Sequence, residues 1–191
     1  MKKMILVALA IFSVSLANAQ IADEVKKSSD RRAKLEALTK DYKTCGNAGI
    51  DGYGNDVKNA AALAIANSVQ LENLYKREIG QNADGVQDVT VTKPKLEDWA
   101  SLAATVAGEA ASIKSAVDKA KGAGEEAKNV AESAASEKNP MKKAKAAKNA
   151  KAAAAVVEFG NAATPILLEE SAAQVKAVEE IIKTLKAGKN L

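Results

Sequence analysis

Apolar residues recur at intervals of three and four along most of this chain, the spacing of one face of an α-helix. The pattern predicts helices over residues 21–44, 57–79, 94–138 and 140–187. Glycine, proline and asparagine interrupt it between these segments. Alanine is abundant and aromatic residues make up 3% of the chain, and a short strand or extended crossover is predicted only for residues 89–92, which are β-branched. The sequence therefore predicts an all-α protein, an antiparallel helical bundle of about four helices.

The first two predicted helices differ in how strongly they should pack. The first is highly charged in its first half, so we expect that half to pack weakly. The second is the most apolar segment after the leader and should be the most buried. A loop is predicted over residues 45–56, with Asn55 or Asp56 capping the second helix. Four glycines support this loop, namely Gly46, Gly49, Gly52 and Gly54.

The third predicted helix carries a heptad seam, which is typical of coiled-coil packing. Trp99 should anchor the core, and the seam contains only alanine and glycine beyond Val117. The pair Asn139–Pro140 predicts a tight reversal into the fourth helix. The seam positions are Trp99, Ala103, Val106, Ala110, Ile113, Val117, Ala120, Gly124, Ala127, Ala131 and Ala134.

The distribution of large apolar side chains predicts two parts within one domain. They lie mostly up to Val117 and from Val156 onward, so residues 20–117 and 156–191 should form the bundle. Residues 118–155 should form a long, partly projecting alanine-rich coiled-coil hairpin. Opposite charges on its two helices should set the register, with Glu137 near Lys142 and Glu132 near Lys145 or Lys148.

The first 19 residues have the layout of a secretory signal peptide. Lys2 and Lys3 precede an apolar run over residues 4–16, and Ala17-Asn18-Ala19 is a small-x-small cleavage motif. The run is shorter than the ~20 residues that span a bilayer, and no later segment is apolar enough to do so. We therefore expect cleavage before Gln20 and export to a periplasm or the extracellular space, with no transmembrane segment after cleavage.

Charge and composition narrow the function. The full chain has a net charge of +4, and loss of Lys2 and Lys3 reduces it to +2, which argues against nucleic-acid binding. Histidine is absent, which removes the commonest general base and metal ligand. Cys45 is the single cysteine, so its thiol is either buried or bridges two chains in a disulfide.

One charge cluster is a candidate interaction face. The segment 141–151 has five lysines and no acidic residue, and it lacks the arginine and aromatic residues that nucleic-acid binding favours. Two interpretations stay open, namely contact with an anionic surface such as lipid, polysaccharide or nucleic acid, and a solvated helix face paired with the preceding helix. The lysines are Lys142, Lys143, Lys145, Lys148 and Lys151.

No motif in the chain indicates catalysis, a cofactor or a metal. The segment Asp51–Asp56 lacks the alternating carboxylates and distant glutamate of a calcium loop. We therefore expect an exported non-enzymatic protein that acts by macromolecular interaction, as a scaffold, adaptor or holdase-like chaperone. Its partner would be another protein or a second copy of the chain. The alternatives are a membrane-active amphipathic helical protein and a structural subunit of an envelope assembly.

Overall fold

The computed structural model describes residues 18–191, so residues 1–17 of the predicted leader lie outside the described residues. This part of the chain forms four α-helices and no strand, and the predicted all-α bundle is confirmed. None of these helices combines the length and hydrophobicity needed to cross a bilayer. The helices are α1 (Asn18–Lys40), α2 (Ala48–Glu78), α3 (Leu96–Ser136) and α4 (Pro140–Lys186).

The pairwise contacts define the arrangement of the bundle. The helices α2, α3 and α4 all contact one another, and α1 contacts α2 and α4. Within the described chain, α1 and α3 have no Cα atoms within 8 Å of each other. The α2–α4 pair therefore separates them, and α1 lies in the groove on the side opposite α3.

The start of α2 corrects the predicted glycine-rich loop. The helix begins at Ala48, and the Asn47 side chain caps it by accepting hydrogen bonds from the N–H groups of Gly49 and Ile50 at 3.0 and 3.2 Å. Only Gly46, with a φ of +84°, lies in the connection before the helix. The prediction that Asn55 or Asp56 caps this helix was therefore wrong.

The first half of α1 is better packed than its charge predicted. Ile21 is fully buried and Val25 nearly so, and both contact the cluster of Leu71, Trp99 and Ile181. These apolar residues lie on one helical stripe, and the charged residues other than the buried Arg31 occupy the remaining faces. The expectation of weak packing was therefore wrong, whereas Trp99 is the core anchor that the sequence predicted.

The buried stripe of α3 differs from the predicted seam. Trp99, Val106 and Ile113 are buried as expected, but the alternate positions are one residue earlier, at Leu102 and Glu109. Because α3 packs against both α2 and α4, its buried face is set by two neighbours rather than by one seam. As a consequence, a glutamate lies in the core where the predicted seam had Ala110, which is exposed.

Few residues of the α3–α4 hairpin are buried near its turn. Asn139 caps α4 by accepting from the N–H groups of Met141 and Lys142, which confirms the reversal at Asn139–Pro140. Ile50 of α2 packs with Val130 and Ala153, so α2 covers the base of the hairpin. Between those two residues, the hairpin contributes only Ala134 to the buried residues of the described chain.

Candidate interaction face and buried polar layer

The five lysines predicted as an interaction face are all exposed along α4, and we call this set the lysine strip (Lys142, Lys143, Lys145, Lys148 and Lys151). Among residues 18–191, no carboxylate lies within 4.0 Å of any of the five ammonium groups. Their charge is therefore not neutralised within the described chain.

The ion pairs predicted across the hairpin do not form. Glu132 contacts Lys128 of its own helix at 3.8 Å, and Glu137 accepts a hydrogen bond from the backbone N–H of Asn139 at 2.8 Å. Both acids thus have partners within four residues along the chain, and neither reaches the lysine strip. The interpretation of the lysines as a face paired with the preceding helix therefore loses its main support.

A groove of about 620 Å³ lies at the base of the lysine strip. It is formed by α4 and by the end of α1 with the connection that follows it. Leu38, Tyr42 and Phe159 give it an apolar floor, and the two aromatic rings are 4.8 Å apart between centroids with an interplanar angle of 40°. The Tyr42 hydroxyl donates to Asn55 Oδ1 at 3.1 Å, which fixes the ring.

The rim of the groove is charged. Lys148 and Lys151 belong to the lysine strip, and Lys43 adds a third ammonium group from the connection after α1. Asp41 and Glu158 also line the groove, so its own net charge is +1. The groove could not be predicted from the sequence because its two sides lie more than 100 residues apart and no local pattern connects them.

Cys45 lies at the edge of the same region, in the connection between α1 and α2. Its side chain is partly buried and packs against the cluster of Ile50, Ala153 and Val156. Burial raises the pKa of the thiol, and the nearby Asp51 carboxylate acts in the same direction. The thiol is therefore a poor nucleophile at neutral pH. Whether Cys45 bridges two chains stays a prediction.

Polar side chains from all four helices form a buried layer between two apolar clusters, and we call it the polar layer. Its centre is Glu170, which is fully buried and accepts from Arg31 Nε, Ser28 Oγ and Gln174 Nε2. Arg31 also contacts Glu24 and Glu169. The members of the layer are Ser28 and Arg31 of α1, Asn67 and Ser68 of α2, Glu109 of α3, and Glu170, Ser171 and Gln174 of α4.

Glu109 is the acidic member of the polar layer that has no cationic partner among residues 18–191. It is fully buried, and its Oε2 accepts from Asn67 Nδ2 at 2.7 Å. In the described structure, Glu109 Oε1 and Gln174 Oε1 are buried without a hydrogen-bond partner. Burial raises the pKa of Glu109 to about 7, opposed by the Asn67 hydrogen bond and aided by the Glu170 charge. Near neutral pH the side chain therefore exchanges between its neutral and charged forms.

The histidine, cysteine, aspartate and glutamate side chains of residues 18–191 form no group of three that could hold a metal ion. No protein-family model matches the chain, and no curated protein or solved structure is significantly similar to it. The site therefore has to be interpreted from its own geometry, in which the exposed charge lies on α4 and the buried charge lies in the polar layer.

Proposed function

We propose that this chain is an exported, non-enzymatic helical protein that binds an anionic protein partner through the lysine strip. In this proposal the leader is removed before Gln20, and the bundle holds the α3–α4 hairpin out from its base. The protein then acts in the periplasm or cell envelope as a scaffold, adaptor or holdase-like chaperone. Peripheral contact with an anionic membrane is the competing use of the same charge.

The observation that carries the proposal is the absence of ionic partners for the lysine strip within the described chain. An exposed lysine contributes little to stability, so the folded bundle does not require five of them together. Clustered positive charge does accelerate association with an acidic surface and orients it. The end of the strip at Lys142 and Lys143 lies next to the turn of the hairpin, where few residues are buried, so a partner could reach that end without contacting the bundle.

The non-enzymatic part of the proposal is supported by the state of the reactive groups. The single thiol has a raised pKa, and the chain has no histidine to activate it. Glu109, the carboxyl whose pKa is near 7, is sealed in the core with Asn67 rather than facing the groove. The thiol thus lacks an activating base, and the Glu109 carboxyl cannot reach a substrate.

Photo-crosslinking in the native host tests the proposed function. A crosslinking amino acid replaces Ala147, which is exposed within the lysine strip, and in a second variant it replaces Val69, which is 50% exposed on α2. We expect a discrete adduct from position 147 and none of the same mass from position 69. Changing all five lysines to glutamine should abolish the adduct at position 147.

Two outcomes would contradict the proposal. One is the same adduct pattern from both positions, which would mean that the strip has no particular role. The other is a position 147 adduct that persists undiminished in the five-glutamine variant. Adducts to lipid rather than protein would instead support the membrane-active alternative. Vesicle flotation at low and high salt would then measure binding to the membrane.

A further inference from the structure

The groove beside the lysine strip has the dimensions of a helix-binding site. On α4 it is lined from Lys148 to Ala162, which corresponds to roughly 21 Å at the helical rise per residue. Three of the seven α4 residues that line it are alanines, namely Ala152, Ala155 and Ala162, which let a neighbouring backbone approach closely. The opposite wall is the segment from Leu38 to Thr44, which includes the Tyr42 ring.

Charge is distributed unevenly along this groove. Lys148 and Lys151 lie at one end of the α4 wall, and Glu158 lies about 10 Å further along the helix. Lys145, one turn before Lys148, extends the basic end. An occupant would therefore need acidic groups at the end beside the lysines and an apolar stripe against Leu38, Tyr42 and Phe159.

We propose that the groove binds an acidic amphipathic helix of a partner protein, about four turns long, with its apolar stripe on the aromatic floor. This inference rests on the proposed function and specifies the partner segment. The helix-in-groove mode requires apolar anchors at intervals of three and four flanked by charge, which matches the alanine wall and the lysine rim.

Synthetic peptides provide the probe. The first is an 18-residue helical peptide with one leucine stripe flanked by glutamates. The second has the same composition in an order that removes the stripe. Fluorescence anisotropy of the labelled peptides, titrated with residues 20–191 at fixed salt, reports the affinity. We expect the striped peptide to bind at least about tenfold more tightly than the scrambled one, since only it presents apolar anchors and charge together.

Two alanine substitutions separate the groove from the charge of the strip. Ala155 and Ala154 are both exposed on α4, but only Ala155 lines the groove. Ala155→Glu should weaken binding of the striped peptide by about tenfold through repulsion and loss of space. Ala154→Glu makes the same charge change on another face and should change the affinity by less than about twofold. Circular dichroism checks that both variants stay folded.

Two lysine pairs complete the design. Lys148→Gln with Lys151→Gln removes charge from the groove rim, whereas Lys142→Gln with Lys143→Gln removes the same charge at the tip. We expect the first pair to weaken peptide binding clearly more than the second. Equal losses from both pairs, with equal effects of Ala154→Glu and Ala155→Glu, would overturn the groove and leave the lysine strip as a general anionic-partner surface. No binding of either peptide, together with the absence of a position 147 adduct, would overturn the proposed function as well.

Discussion

Glu109 is a carboxylic acid at a core position of α3, and its environment favours the neutral form. Its pKa rises from an ordinary value near 4.5 to about 7 because the side chain is fully buried. The charged groups that face this region are Glu170 and, beyond it, Arg31. Arg31 donates its hydrogen bonds to Glu170, Glu24 and Glu169 rather than to Glu109. The charged form of Glu109 is therefore uncompensated in the folded state.

This arrangement predicts that the bundle loses stability as the pH rises towards neutrality. Between the unfolded and folded pKa values the folded protein binds more protons, so the free energy of unfolding falls with increasing pH. The stability that protonated Glu109 contributes to the folded protein is fully present below about pH 4.5 and lost above about pH 7. This contribution to the free energy of unfolding amounts to about 3 kcal/mol. Histidine, which would otherwise titrate in this window, is absent. Urea denaturation of residues 20–191 between pH 5 and 8 measures the slope.

A substitution assigns that slope to Glu109. Glu109→Gln removes the ionisation while keeping an oxygen for Asn67, so the variant should be more stable than the parent at pH 8 by about 1–3 kcal/mol. Most of the decrease in the free energy of unfolding between pH 5 and 7 should also be absent in this variant. Glu132→Gln, on an exposed face of the same helix, should leave the slope as it is. An unchanged slope in Glu109→Gln would show that another group titrates.

The burial of Glu109 could not be predicted from the hydrophobic pattern of the sequence. A charged residue is expected at the surface, so the predicted seam passes through Ala110 instead. A signal did exist, because Leu102, Glu109, Ala116 and Ala123 repeat every seven residues and are all buried. The lysine strip, by contrast, could be located from the sequence because five lysines within 11 residues on a helix are exposed in almost any packing.

At the scale of helices, α2 and α4 approach closely at Gly160. A Cβ at this position would overlap the Tyr53 phenol ring, and both residues are buried. Gly160→Ala should therefore destabilise the protein by about 1–3 kcal/mol, even though alanine is the better helix former. Thermal or urea unfolding of the variant measures this cost.

Gly122 provides the matched control for this packing argument. It lies in the interior of α3, and a methyl group added there would meet no neighbouring side chain within 4 Å. Gly122→Ala should therefore stabilise the protein by about 1 kcal/mol through helix propensity alone. The two glycine-to-alanine changes are thus expected to have opposite signs. A stabilising effect of Gly160→Ala would show that the two helices do not approach at this point.

The start of α2 shows why local signals misplaced an element boundary. Glycines at 49, 52 and 54 predicted a loop, but Gly54 lies where a Cβ would be 2.6 Å from Tyr42 Oη and from Val156 Cγ1. Close packing against α4 therefore requires glycine there, and the helix tolerates its low propensity. Asn47 then accepts hydrogen bonds from the first N–H groups of α2, and Asp51 accepts from two N–H groups of the preceding connection. Tertiary contacts of this kind have no trace in a single sequence.

For the whole molecule, the polar layer ties α1 to a core that the other three helices form among themselves. Within residues 18–191, α1 is the shortest helix and contacts only α2 and α4, so its attachment depends on one stripe of side chains. Ile21, Val25 and Leu35 supply the apolar contacts of this stripe, and Ser28 and Arg31 supply the polar ones. Removing one polar member should affect the bundle more than its surface ion pairs do, because Glu170 is fully buried.

A double-mutant cycle on Arg31 and Glu170 tests this dependence. Arg31→Met leaves the Glu170 carboxylate buried without its cation and should lower the free energy of unfolding by about 3–5 kcal/mol. Adding Glu170→Gln removes that charge and keeps an oxygen for Ser28, so the double variant should be more stable than Arg31→Met alone by at least about 1 kcal/mol. Lys27→Met, which breaks an exposed pair with Asp23 on the same helix, should have little effect. A double variant that is no more stable than Arg31→Met would show that Arg31 holds α1 by packing, and that the charge pair in the polar layer does not determine how α1 is attached.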